Sequence, residues 1–311
     1  MTGGTDTAVE LRGFEKSYGK IRAVRPLDLQ IPRGETFAFL GPNGSGKSTI
    51  IRAIAGLHFP TTGKILVNGE ELTEKLTARP ENRNLISYMP QRVALPDYLT
   101  PREIVGLFAR LRGVGPERVD EILEYVALQE SRDRYVREFS GGMLQRVGLA
   151  VTFLSDCEIY VLDEPTLNLD ALGIKRFREL ISSLKADGKT IVFASHLIED
   201  AIQLADRVGI LVEGKLARTE SVRSFREEIA WEMKVRIKLA APLPGIDAIL
   251  KESGATMTTG NGEMCVFQAE PRHRLAIIRA IEAAGGAIEE FHTDPPNWDA
   301  LIHDRFNISD E

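Results

Sequence analysis

Gly41-Pro42-Asn43-Gly44-Ser45-Gly46-Lys47-Ser48-Thr49 fits the pattern G-x-x-x-x-G-K-[ST]. It lies between an apolar run at 37–40 and a helix-forming stretch at 48–55, the strand-loop-helix setting that this pattern needs to bind phosphate. Glycines let a backbone wrap closely around phosphate oxygens with its N–H groups pointing inward. The N-terminus of the following helix adds positive potential. Lys47 is then expected to reach the β- and γ-phosphates of a nucleotide, and the Ser48 hydroxyl to bind Mg²⁺. A chance glycine-rich turn would lack these two flanks.

Further along, Ile159-Tyr160-Val161-Leu162-Asp163-Glu164-Pro165 is an apolar strand that delivers two adjacent carboxylates at its C-terminal end. Ligand crevices of α/β sheets form there. Asp163 is expected to hold Mg²⁺ through water, and Glu164 to polarise the attacking water as general base. Alone, an Asp-Glu pair after a strand is an ordinary solvated loop start. Beside a phosphate loop it is a candidate catalytic pair.

Around these motifs the first 220 or so residues alternate strand-like and helix-like segments, which implies an α/β fold. Segments 8–14 and 36–40 read as strands around a turn at 17–19. Segment 64–67 enters a hairpin at Asn68-Gly69, suggesting an antiparallel patch beside the main sheet. Runs at 159–162 and 190–194 suit a buried parallel sheet. From 101 to 137 the pattern is helical, with Ile104, Leu107, Phe108 and Leu111 expected on one face. A strand at 208–212 and the turn Glu213-Gly214-Lys215 close this region. After it the order is strand (232–239), helix (246–252), two strands (255–259, 264–269) flanking Gly260-Asn261-Gly262, helix (272–284), strand (287–291) and a short helix (298–306). The β-α-β-β-α-β order is that of a small ferredoxin-like domain. The expected division is 1–221 and 222–311.

The 311 residues suit one large and one small domain. A formal net charge of −6 gives no global basic field, so no nucleic-acid partner is expected. No apolar run approaches the ~18–20 residues that span a bilayer. MTGGTDTAVE lacks the basic and apolar regions of a secretory signal. Cys157 and Cys265 stand in unrelated segments and read as reduced thiols. His58, His273, His292 and His303 lack metal-ligand spacing.

Phe139-Ser140-Gly141-Gly142-Met143 resembles the signature motif of ABC ATPases, with Phe139 and Met143 departing from the commonest form. A Ser hydroxyl and two glycines opening a helix offer a second set of phosphate donors. The resemblance implies that Ser140, Gly141 and Gly142 approach the γ-phosphate held by an opposing subunit. Gln91, in Ser87-Tyr88-Met89-Pro90-Gln91, resembles the Q-loop residue that touches Mg²⁺ and the attacking water. The apolar residues after it, Val93, Leu95, Tyr98 and Leu99, would face a membrane partner. His196 resembles the switch histidine at the γ-phosphate. Tyr18 resembles the aromatic that stacks on adenine. Asp170 ends Pro165-Thr166-Leu167-Asn168-Leu169-Asp170, the place of the D-loop, with Asn168 where Gly or Ala is usual.

The resemblance covers nearly the whole chain. It implies a P-loop NTPase fold of the ABC type for 1–221, with a RecA-like core, an antiparallel β subdomain and a helical subdomain at about 92–140. It implies a small α+β domain for 222–311, as on ATPases of ABC-2-type exporters. Implied with it are ATP and Mg²⁺ as ligands, ATP hydrolysis, pairing with a second ATPase subunit, and docking on a membrane-spanning permease at the cytoplasmic face. The alternatives are an importer ATPase with a regulatory C-terminal domain and a soluble ABC ATPase. A single cassette argues against translation factors, the lack of a long coiled-coil insertion against repair proteins, and the C-terminal domain against the compact cluster-assembly type.

Overall fold

The computed structural model describes residues 6–79, 82, 84–260 and 263–294. The chain divides into two compact units, Met1–Val222 and Arg223–Glu311.

In the first unit, β1 (Thr7–Tyr18) and β2 (Ile21–Pro32) form a long antiparallel hairpin, and β3 (Thr36–Leu40) leads through the glycine loop into α1 (Lys47–Ile54). β4 (Thr62–Val67) and β5 (Glu70–Glu71) complete an antiparallel sheet of order β2-β1-β4-β5. A short α2 (Glu74–Thr77) and β6 (Ile86–Met89) precede the helices α3 (Pro101–Arg112), α4 (Glu117–Tyr125) and α5 (Gly141–Thr152). Then follow β7 (Ile159–Asp163), α6 (Ala171–Ala186), β8 (Thr190–Ser195), α7 (Ile198–Leu204), β9 (Arg207–Val212) and β10 (Lys215–Ser221); α8 (Val222–Glu232) starts at the last residue of this unit and otherwise belongs to the second. The main sheet has the order β10-β9-β3-β8-β7-β6, parallel from β9 to β6 with β10 antiparallel at one edge.

β3, β7 and β8 are buried at every position, as parallel strands covered on both faces must be. Phe14 and Ile31 of the antiparallel sheet share one apolar cluster with Ile50 of α1 and with Phe37, Val161 and Val192 of the main sheet. The glycine loop is therefore anchored between two packed layers.

Two local expectations are corrected. The turn at 17–19 is followed by a full strand, β2, which Pro26 disguises in the sequence because proline is rare inside sheets. It is tolerated because β2 is the edge of its sheet. In α3 the buried stripe is Pro101, Ile104, Val105 and Ala109, while Leu107 and Leu111 are exposed. The helix starts where the sequence supplies a capping box, with Thr100 accepting from the Glu103 N–H and Glu103 accepting from the Thr100 N–H.

In the second unit, β11 (Lys234–Leu239), α9 (Ile246–Glu252), β12 (Thr256–Gly260), β13 (Met264–Gln268), α10 (Pro271–Ala283) and β14 (Ile288–Asp294) form an antiparallel sheet of order β12-β13-β11-β14 with two helices. Val235, Ile237 and Leu239 alternate inward from β11 and pack with Leu250, Phe267, Ile277 and Ile281. Met233 precedes the strand and is half-buried. The short helix expected at 298–306, His303, and Asn261 and Gly262 of the expected turn lie outside the described residues. Cys157 and Cys265 are both buried free thiols, and burial pushes each thiol above its ordinary value. Among the described residues no helix is long and apolar enough to cross a membrane.

Candidate active site

The site forms where β3, β7 and β8 end side by side, so three consecutive loops leave the sheet at one edge. Parallel pairing sets Leu40 beside Ser195, and Asp163 beside Ala194. The glycine loop follows β3. Gly41 has φ +153°, and a Cβ there would sit 2.1 Å from the Leu211 carbonyl oxygen of β9. No side chain fits, so the loop lies tight against the sheet. Pro42 accepts from the Ser45 N–H at 3.3 Å, Asn43 and Gly44 are exposed at the tip, and Gly46 caps α1 with its carbonyl accepting from Thr49 and Ile50. The Ser45 hydroxyl is buried and has no hydrogen-bond partner among the described residues.

Lys47 opens α1 and is itself buried. Its ammonium donates to the carbonyls of Gly41 (2.7 Å) and Pro42 (3.0 Å). Burial lowers its pKa, opposed by the carboxylates of Glu164 and Asp163. Ser48 donates to Asp163 Oδ1 at 2.9 Å. Asp163 is fully buried, and its second oxygen, Oδ2, has no hydrogen-bond partner among the described residues. Burial raises its pKa, partly offset by the Ser48 hydrogen bond and by Arg52 of α1. An orphaned buried carboxylate oxygen beside a serine hydroxyl is a donor set that fits a hard divalent cation, which prefers oxygen ligands and keeps several waters. Among the described residues no three His, Cys, Asp or Glu side chains cluster to hold a metal ion by themselves.

Glu164 turns the chain out of β7 with φ +50°, a conformation that costs a non-glycine residue about 1–3 kcal/mol. Its N–H still donates to the Ala194 carbonyl at 3.0 Å, so the strain is held by the sheet. Its Oε2 lies 2.8 Å from His196 Nδ1 and accepts from the His196 N–H at 3.4 Å. A carboxylate oxygen can only accept, so this pair places the imidazole proton on Nδ1. Gln91 is half-buried just beyond β6, whose Met89 pairs with Leu162 next to Asp163. Tyr18, at the end of β1, is 45% exposed, with Lys16 Nζ 5.3 Å from its ring centre and His58 in an edge contact.

The signature segment forms a second cluster. Ser140 caps α5, accepting from the Met143 N–H at 3.3 Å. Gly142 packs so closely on the loop after Glu164 that a Cβ would sit 2.6 Å from the Asn168 carbonyl oxygen. Asn168 has φ +64°, a left-handed backbone that Asn tolerates better than most non-glycine residues. Asp170 caps α6 by accepting from the Gly173 N–H at 2.9 Å, and Arg146 of α5 donates to the same oxygen at 2.6 Å. These two contacts hold its carboxyl below the ordinary range.

Gln145 and Arg146 are functional candidates that the motifs did not reveal. Buried Gln145 donates to the Pro165 carbonyl at 3.2 Å, tying α5 to the loop that follows Glu164. The one available signal was a glutamine within the apolar periodicity of α5. The structure thus brings Lys47, Ser48, Asp163, Glu164 and His196 into one group, and Ser140, Gly141, Gly142, Asn168 and Asp170 into another.

The chain matches the family described as ABC transporter over residues 24–167. It is 32% identical over 303 residues to the daunorubicin resistance ATP-binding protein DrrA3 of Streptomyces coeruleorubidus, covering 96% of this chain and 95% of that protein. It is 38% identical over 215 residues to the bacitracin transport ATP-binding protein BcrA of Bacillus licheniformis, covering 68% of each. Among solved structures, it resembles the dimeric post-hydrolysis ATP-binding cassette MJ0796 bound to ADP and Pi. That match has a TM-score of 0.64 and 30% identity, and covers 69% of this chain and 99% of the other.

Proposed function

The chain belongs to the ABC transporter family of ATP-binding proteins, and from that premise we propose that it hydrolyses ATP to drive export through a separate membrane-spanning permease. The observation that carries this reading is the convergence of Lys47, Ser48, Asp163, Glu164 and His196 at the ends of β3, β7 and β8. Export is favoured over regulated import by the similarity to a drug-resistance protein, which runs through the second unit as well as the first. The working place is the cytoplasmic face of the membrane, reached through the permease.

In this reading the loop from Gly41 to Thr49 wraps the phosphates of ATP. Lys47 leaves its carbonyl partners for the β- and γ-phosphates, and Tyr18 offers its exposed ring to the adenine. Ser48, Asp163 and Gln91 would hold Mg²⁺, with Asp163 acting through water. An ion held there would supply positive charge to offset that of the phosphates. Glu164 takes the proton of the attacking water, and His196 fixes the direction of its carboxylate. Ser140, Gly141 and Gly142 present the first turn of α5 to the γ-phosphate held by a second ATPase subunit, with Asp170 beside them. ATP is then shared between two chains, and hydrolysis releases the contact, a switch that the permease reads. For the second unit, β-α-β-β-α-β order and sheet order β12-β13-β11-β14 support a ferredoxin-like domain.

The coupling to export is tested by purifying the tagged full chain from detergent-solubilised membranes of its own host. Recovery of an integral membrane protein in stoichiometric amount is expected. Recovery of the chain from the soluble fraction alone, with ATPase activity intact, would favour the soluble reading. The shared-ATP arrangement is tested by Gly142→Ala. An added Cβ meets backbone 2.6 Å away, so the first turn of α5 or Asn168 must shift. In a Glu164→Gln background, ATP-induced dimerisation is expected to weaken by about tenfold or more, as small misplacements do. ATP affinity of the single chain should stay within about twofold. Sedimentation with ATP and with ADP reads the first quantity. Unchanged dimerisation would remove the signature segment from the interface.

A further inference from the structure

We infer that Asp200 is a positioning residue for hydrolysis, holding the Glu164–His196 pair in register through Thr166 and Ser195. Asp200 lies on α7, is 4% exposed, and among the described residues its carboxylate bonds to neither the phosphate loop nor the Glu164–His196 pair. Its Oδ2 accepts from Thr166 Oγ1 at 2.5 Å and from Ser195 Oγ at 3.4 Å. Thr166 stands two residues after Glu164, and Ser195 immediately before His196. One carboxylate oxygen therefore ties together the two loops whose side chains meet at 2.8 Å.

The surroundings make this tie stiff. Thr166 and Ser195 are themselves buried. The Ser195 hydroxyl also accepts from the Leu197 N–H at 3.0 Å, which leaves its own proton for Asp200 and fixes the backbone just past His196. Arg178 of α6 places its guanidinium 3.8 Å from the other carboxylate oxygen, the opposite charge that a buried carboxylate requires. On the far side of the same loop, Gln145 holds the Pro165 carbonyl. The segment carrying Glu164 is thus gripped from α5 and from α7. The grip from α7 is the one that also reaches the histidine. A carboxylate serving only to cap or stabilise α7 would need no bond to Thr166, because that residue belongs to a different loop.

The inference rests on the ATPase reading, and a double-mutant cycle separates the two. In the full chain, Asp200→Asn halves the strength of a charge-assisted acceptor and turns an N–H₂ toward Arg178. Thr166→Val removes one tether and keeps the shape, so it guards against a folding defect in the first variant. Each is expected to lower kcat, counted per bound nucleotide, by about tenfold with KM for ATP within about twofold, because loss of register slows chemistry and spares binding. His196→Ala is expected to slow turnover by itself. In that background, the further loss from Asp200→Asn or Thr166→Val should shrink to less than about twofold, since the alignment they protect is already gone. A defect of stability alone would instead lower the melting temperature and multiply through both backgrounds. Equal losses in the two backgrounds, unchanged kcat in both tether variants, or unchanged turnover in His196→Ala would each overturn the inference. Absence of ATP hydrolysis by the unmodified chain would instead overturn the ATPase reading.

Discussion

Glu164→Gln is expected to bind Mg-ATP as the unmodified chain does and to lose turnover by about 10²–10⁴-fold, the usual contribution of a positioned general base. The variant is informative because little else changes. Gln has the shape of Glu and pays the same backbone cost at φ +50°. Its amide oxygen can still accept from His196 Nδ1, which lies 2.8 Å from the carboxylate oxygen. Its N–H still completes the ladder to Ala194. What disappears is the basic oxygen and the negative charge beside Lys47 and Asp163. Phosphate release measured against equilibrium nucleotide binding separates the two effects. Near-normal turnover with normal binding would remove Glu164 from the chemistry and leave its strained backbone without a catalytic explanation.

The nucleotide loop was legible because its chemistry leaves few substitutes. Gly41 faces a carbonyl at 2.1 Å from a would-be Cβ, and Ser48 must meet Asp163 from 115 positions away. Such constraints leave residue types in the sequence at set spacings. The contacts between motifs left weaker marks. Gln145 and Arg146 act through a backbone carbonyl and through an already occupied cap, and neither role demands a spacing that a reader could recognise. Asp200 resembles any acidic residue early in a helix until the fold brings Thr166 to it. β2 was hidden by Pro26, which only its edge position permits. On α3, two overlapping apolar stripes were available. Burial chose Ile104, Val105 and Ala109 over Leu107 and Leu111, and that choice depends on where α4 and α5 lie. Periodicity identifies an amphipathic helix, but the neighbouring elements decide which of two adjacent stripes is covered.

Lys47→Met is expected to weaken ATP binding by about 10- to 100-fold, corresponding to the ~1.5–3 kcal/mol of a hydrogen bond to a charged group. Met keeps the length and apolar body of the stem, so the loss belongs to the ammonium and not to packing. In the free chain Lys47 leaves a pH signature on stability. The ammonium is buried on the carbonyls of Gly41 and Pro42, and burial lowers its pKa below the ordinary 10.5. In the window between that lowered value and 10.5, the unfolded chain holds more protons than the folded one. Stability of the unmodified chain therefore gains from Lys47 as pH rises through this window, and below the window the buried charge is a cost. Lys47→Met removes this contribution. Its stability at neutral pH should stay within about 1 kcal/mol of the unmodified chain, because the relieved desolvation is offset by two carbonyls that lose a donor. Thermal melts across the window, with isothermal titration of ATP, read both quantities. A large loss of melting temperature at neutral pH, or ATP affinity within twofold of the unmodified chain, would show that Lys47 holds the loop together instead of holding the phosphates.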